Sequence, residues 1–185
     1  MESKVEHSKS KVKFATVWLD GCSGCHMSFL DMDERLIALA DRIDLVYSPL
    51  VDIKIFPPQV DVTLVEGSVS TVEDIAKIRH IRECTKVLVA LGDCAITGNV
   101  PAMRNPFDLD EVCDRAYKQN VDLRAGTPTA HLPALLERVR PVHDVVDVDL
   151  FIPGCPPPAD AIYQVLTDVL EGRTPAVSEL THFGR

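Results

Sequence analysis

The chain has 185 residues, of which 46% are hydrophobic and 25% charged, with a formal net charge of −9 and a pI near 5.1. That length suits about one domain with a sizeable core. The acidic balance argues against a nucleic-acid role, and no apolar run reaches the ~18–20 residues needed to span a bilayer.

Residues 1–11 read as a loose polar tail, and 12–185 as one domain. The start, MESKVEHSKSKVKF, has no apolar h-region and no twin arginine, so no export signal is expected and the location is read as cytoplasmic. Cysteines stay reduced there. The six cysteines are therefore read as ligands or packed thiols rather than a disulfide framework.

VKFATVWL (12–19) is the first expected strand, rich in β-branched and aromatic residues. MSFLDMDERLIALADRI (27–43) has helical apolar spacing at Leu30, Leu36, Ile37 and Ala40, with acidic residues in its early turns. A short strand at 44–48 is closed off by Pro49. VDVTLVEG (60–67) is the third strand, and Gly67 permits a tight turn. A helix follows at 72–83, capped by Ser70 or Thr71; Ser70 with Glu73 has capping-box spacing. VLVALG (87–92) is the unbroken apolar run of a central parallel strand. Residues 95–147 are the least regular. NVPAMRNPFD reads as an ordered loop and 108–118 as a helix, and the stretch is either a partner-binding segment or a surface insertion. VDLFIPG (148–154) is the fifth strand. A last helix, 158–170, has proline in its first turn and Gly172 past its end. This alternation predicts an α/β fold, an open parallel sheet of about five strands with helices on both faces.

Cys22, Cys25, Cys94 and Cys155 all fall just after expected strands. In an open parallel sheet those loops share one edge, where ligands bind, so distant thiols can converge there. By itself, Cys22-Ser-Gly-Cys25 fits a redox dithiol, half a zinc site or two cluster ligands. A dithiol needs no third and fourth cysteine on neighbouring strands, and a four-thiolate site needs all of them. Structural zinc sites usually come as two close pairs. One pair joined by two distant singles favours an iron–sulfur cluster, which can bridge separated loops. Gly92 and Gly154 precede Cys94 and Cys155 within two residues and ease sharp turns, and the prolines after Cys155 stiffen its loop. His26 either hydrogen-bonds a cluster sulfur or faces solvent from a first helical turn. Glu66, on the same edge, either accepts protons near a redox site or pairs within its loop. Cys84 and Cys113 are expected to be packed thiols. His7, His80, His131, His143 and His182 form no pattern.

The runs WLDGCSGCHMSFLD (18–31), VEGSV (65–69), GDCAITGNVPAMRN (92–105) and PGCPPPADAI (153–162) resemble the small subunit of [NiFe] hydrogenases, above all the soluble, cytoplasmic NAD-reducing type. The related NADH dehydrogenase 20 kDa-type subunit shares the fold but typically has adjacent cysteines where this chain has Cys22-Ser-Gly-Cys25. The resemblance implies a flavodoxin-like domain holding one [4Fe–4S] cluster on Cys22, Cys25, Cys94 and Cys155. From their places beside these cysteines, His26, Gly92 and Gly154 are the candidates for surrounding it and Glu66 is the candidate proton relay. It also implies that the Ni–Fe site lies in a partner large subunit, because only one C-x-x-C pair is present here. Electrons from H2 would cross this cluster to iron–sulfur and flavin subunits of a diaphorase module, where FMN passes them to NAD+, reversibly. The chain is then a subunit of a hydrogen:NAD+ oxidoreductase that holds no catalytic metal itself. Rival readings are a related hydrogenase with a deazaflavin or ferredoxin acceptor, a structural-zinc binding module, and a dithiol oxidoreductase.

Overall fold

The computed structural model describes residues 11–122, 126–128 and 130–184. The expected tail, apart from Lys11, lies outside them. In chain order the elements are β1 (Val12–Trp18), α1 (Gly24–Leu30), α2 (Glu34–Ala40), β2 (Ile43–Tyr47), β3 (Val60–Glu66), β4 (Val69–Thr71), α3 (Val72–Cys84), β5 (Thr85–Leu91), α4 (Asp93–Thr97), α5 (Leu109–Asp114), β6 (Leu135–Arg140), β7 (Leu150–Ile152), α6 (Ala159–Leu170) and α7 (Val177–Leu180).

Five strands form one sheet in the order β2-β1-β3-β5-β7, and every neighbouring pair is parallel. This is the flavodoxin-like order, with its topological switch between β1 and β3. Side chains alternate between two cores. Phe14, Val62, Leu64, Val89, Leu91 and Ile152 face one side, where Phe29 of α1, Met32 of the turn after it, Leu39 of α2 and Ile162, Val165 and Leu166 of α6 cover them. Ala15, Val17, Val65, Leu88 and Ala90 face the other, under Ile78 and Ile81 of α3 and Ala95 and Ile96 of α4. Helices therefore cover both faces, as expected.

Several local expectations need correction. The single helix expected over 27–43 is two, and the first begins at Gly24. The break falls at Asp33, whose φ of 50° and ψ of −123° lie outside the helical regions and are a positive-φ conformation that side chains rarely adopt. It lets Met32 turn fully into the core. The cap of α3 lies one residue further on than the Ser70–Glu73 spacing suggests. Thr71 Oγ1 accepts the Asp74 N–H at 3.0 Å, and Asp74 Oδ2 accepts the Thr71 N–H at 2.9 Å. Pro158 caps α6 rather than sitting in its first turn.

The sequence pattern missed α4, β6 within 95–147 and the short β4 with which β6 pairs antiparallel. In LLERVR of β6 only Val139 is buried, so the strand has no apolar alternation to read. The expected ordered loop is ordered by this strand: Arg104 donates to Leu136 O and Glu137 O, and the Asn105 side chain bonds both the N–H and the C=O of Val139. The helix expected at 108–118 is α5 with a π-helical turn, Arg115–Gln119, after it. Among the described residues no helix is long and apolar enough to cross a membrane.

Thr71→Ala removes the hydroxyl half of the cap and is expected to destabilise the fold by about 1 kcal/mol, read from the midpoint of chemical denaturation.

Candidate functional site

All three cysteine-bearing loops leave the carboxyl edge of the sheet. Cys22 lies in the turn after β1 and is exposed, while Cys25, in the first turn of α1, is buried. Ser23, with φ of 66°, turns the chain between them. Cys94 is the second residue of α4 and is buried. Cys155 follows β7 and is exposed. Cys84 closes α3 and leads into the amino end of β5, at the opposite edge. It lies 3.9 Å from His80 Nε2. Cys113 sits half-buried in α5. Cys84 packs against the core under α3, and neither Cys84 nor Cys113 is among the groups that act on Cys25 or Cys94.

The four edge thiols lie within electrostatic reach of one another. Burial pushes the Cys25 thiol far up, and Glu66, Cys94, Cys22 and Cys155 each push it further. Burial also raises Cys94, with the Val100 N–H and the Asn99 side chain partly offsetting it by stabilising the thiolate. Mutual repulsion of this kind is what a positively charged iron core would relieve, so the donor set suits a cluster. Among the described residues no group of three His, Cys, Asp or Glu side chains gathers tightly enough to hold a single metal ion.

The backbone around the thiols is cut to fit. Gly92 has φ of 82°, and a Cβ there would fall on Cys25 Sγ. A Cβ on Gly24 would stand 3.3 Å from Cys22 Sγ. Gly154 also has positive φ, but its N–H is taken by Asp93 Oδ1 at 2.7 Å, so it is not free to reach a sulfur. Ser28 Oγ of α1 donates to Pro157 O at 2.5 Å, which ties the C-x-x-C helix to the proline loop. The β1 and β3 ends are zipped at the switch point by Asp20 N–H to Ser68 O and Ser68 N–H to Asp20 O, at 3.0 and 2.7 Å.

His26 does not face solvent; it is buried. Glu66, equally buried, accepts the His26 backbone N–H at 2.9 Å and pairs with its ring Nδ1. The ring stands edge-on to Trp18, 5.1 Å between centroids, and both His26 Nε2 and Trp18 Nε1 are buried with no hydrogen-bond partner among the described residues. Glu66 thus pairs with the first turn of α1, as one of its two readings expected, and stands close enough to act on the Cys25 thiol.

Sequence reasoning missed Asn99, whose Nδ2 lies 3.4 Å from Cys155 Sγ, and the Val100 N–H near Cys94. The signal was the Gly98-Asn99 dipeptide, a turn mark; both residues have positive φ.

A family model described as the NADH ubiquinone oxidoreductase 20 kDa subunit matches residues 22–169, a span containing all four thiols. The chain is 44% identical over 170 residues to the delta subunit of the NAD-reducing hydrogenase HoxS of Cupriavidus necator, covering 89% of this chain and 81% of that one. It is 37% identical over 167 residues to a subunit of the F420-non-reducing hydrogenase of Methanothermobacter marburgensis, covering 88% of this chain but 54% of that longer one. A solved NAD+-reducing [NiFe]-hydrogenase, in its H2-reduced state, contains a chain that superposes with a TM-score of 0.89 at 39% identity, covering 94% of this chain and 99% of its own.

Gly92→Ala should displace Cys25 and lower bound iron on anaerobic reconstitution to well under half of the wild-type amount. Full iron loading in that variant would show that Gly92 does not make room for the thiol.

Proposed function

The chain belongs to the family of the NADH ubiquinone oxidoreductase 20 kDa subunit, and on that premise we propose that it is the electron-transfer small subunit of an NAD-reducing [NiFe] hydrogenase. The observation that carries this reading is the convergence of four thiols from three strand-end loops, on a fold that superposes closely on a chain of such an enzyme. Cys22, Cys25, Cys94 and Cys155 are the proposed ligands of one [4Fe–4S] cluster. Bound there, the cluster would accept and release single electrons at a potential set by burial and by donors to its sulfurs.

The chain's own residues hold and tune that site. The Val100 N–H and Asn99 Nδ2 supply donors to Cys94 and Cys155. Glu66 and His26 fix the first turn of α1, and the carboxylate of Glu66 is the group this chain offers for taking a proton beside the cluster. Met27, Val100, Met103 and Phe107 are exposed apolar side chains in the segments following Cys25 and Cys94. They form the rim against which a hydrogenase large subunit would dock, bringing its Ni–Fe site toward the cluster. Electrons would leave toward diaphorase subunits carrying iron–sulfur centres and FMN, and end on NAD+. A cytoplasmic location goes with that acceptor. The greater identity to the NAD-reducing relative, 44% against 37%, favours NAD+ over a different acceptor.

In the purified complex with its partner subunits, Cys94→Ser is expected to abolish H2-driven NAD+ reduction while NADH oxidation with a soluble dye continues in the diaphorase part. Cys84→Ser and Cys113→Ser should retain both activities. Undiminished H2-driven reduction in Cys94→Ser would contradict the ligand assignment.

A further inference from the structure

Asp93 lies one residue before Cys94 and is 6% exposed, yet it takes no part in the thiol donor set. Its carboxylate is divided between two segments distant in sequence. Oδ1 accepts the Gly154 N–H at 2.7 Å, and Oδ2 accepts the Gly184 N–H at 2.8 Å. The Asp93 N–H in turn donates to Gly154 O at 2.9 Å, so Asp93 and Gly154 are joined by a reciprocal pair of bonds. One side chain therefore connects the first turn of α4, the loop that carries Cys155, and the segment that follows α7.

That segment is anchored a second time. Thr181 is buried, and its Oγ1 donates to Pro153 O at 2.7 Å. Val177 and Leu180 pack against the core beneath α6. A simple helix-capping role does not account for Asp93. The N-cap of α4 is Gly92, which has no side chain to cap with, and both Asp93 oxygens reach out of the helix. Burying a carboxylate is costly unless charge-assisted bonds offset it. Here both bonds are spent on holding loops together at the thiol edge.

We propose that Asp93 is the positioning residue of the thiolate site, and that Val177–Gly184 is a strap which Asp93 and Thr181 hold against the Cys155 loop. The proposal rests on the reading of the four cysteines as cluster ligands. Asp93 acts through Gly154, fixing the exposed Cys155 relative to Cys94 across two strand ends.

The test uses the assembled complex, purified anaerobically, with Asp93→Asn and Thr181→Val compared with wild type. The Asn amide keeps one N–H partner but presents its NH2 group to the other. Thr181→Val removes the second anchor and leaves every charge in place. Both variants are expected to lose iron to a chelator on the order of 10-fold faster, as loss of an outer-shell partner does elsewhere, and to be cleaved faster by protease within 177–184. Only Asp93→Asn, which alters the bond to the Gly154 N–H beside Cys155, should change the electron paramagnetic resonance line shape of the reduced cluster. Wild-type rates of iron loss and cleavage in both variants would overturn the strap while leaving the ligand assignment standing. If Asp93→Asn fails to assemble, Thr181→Val decides alone by the same two rates. A wild-type chain that binds no iron would overturn the ligand assignment, and the strap proposal with it.

Discussion

Everything at this site depends on holding four thiols, supplied by three loops, at one edge of a parallel sheet. The sheet solves this by register. β1 pairs with β3, β3 with β5 and β5 with β7, all parallel, so residues 18–25, 92–94 and 153–155 leave the same edge. Bonds continue past the strands: Gly92 N–H reaches Ile152 O and Asp93 N–H reaches Gly154 O, at 2.8 and 2.9 Å. The loops are thus extensions of the ladder rather than free connections, and the thiols inherit the rigidity of a close-packed core.

Electrostatics sets the second condition. Burial, Glu66 and the other edge thiols push the Cys25 thiol far up, and burial raises that of Cys94. An iron core bound there would release protons as it forms, and its affinity would fall as pH falls. The same repulsion that disfavours four thiolates alone makes them a strong cage for a positive core. Cys22 and Cys155 remain exposed, which leaves two sides of the site open; in the proposed function these are the sides that partner subunits would cover.

The sheet was legible from apolar runs such as VLVALG and from the alternation of strand and helix, because a two-faced core forces these patterns. The four thiols were legible because glycine and proline mark the turns that carry them. What escaped notice depends on tertiary contacts with little local sequence signal. Met32 breaks a helix that periodicity alone runs through Asp33. β6 has one buried residue and so no pattern. Asn99 reaches Cys155 across 56 positions, and Asp93 reaches Gly184 across 91. His26 looked like a surface residue of a first turn because its partner Glu66 is 40 positions away.

The most direct measurement of the central claim is iron and acid-labile sulfide on the anaerobically purified complex, with electron paramagnetic resonance after reduction by H2. The account predicts about four of each attributable to this chain and a reduced-cluster signal, as a four-cysteine [4Fe–4S] site requires. One zinc and no iron at these cysteines would contradict it, and would make the edge a structural site instead of an electron relay.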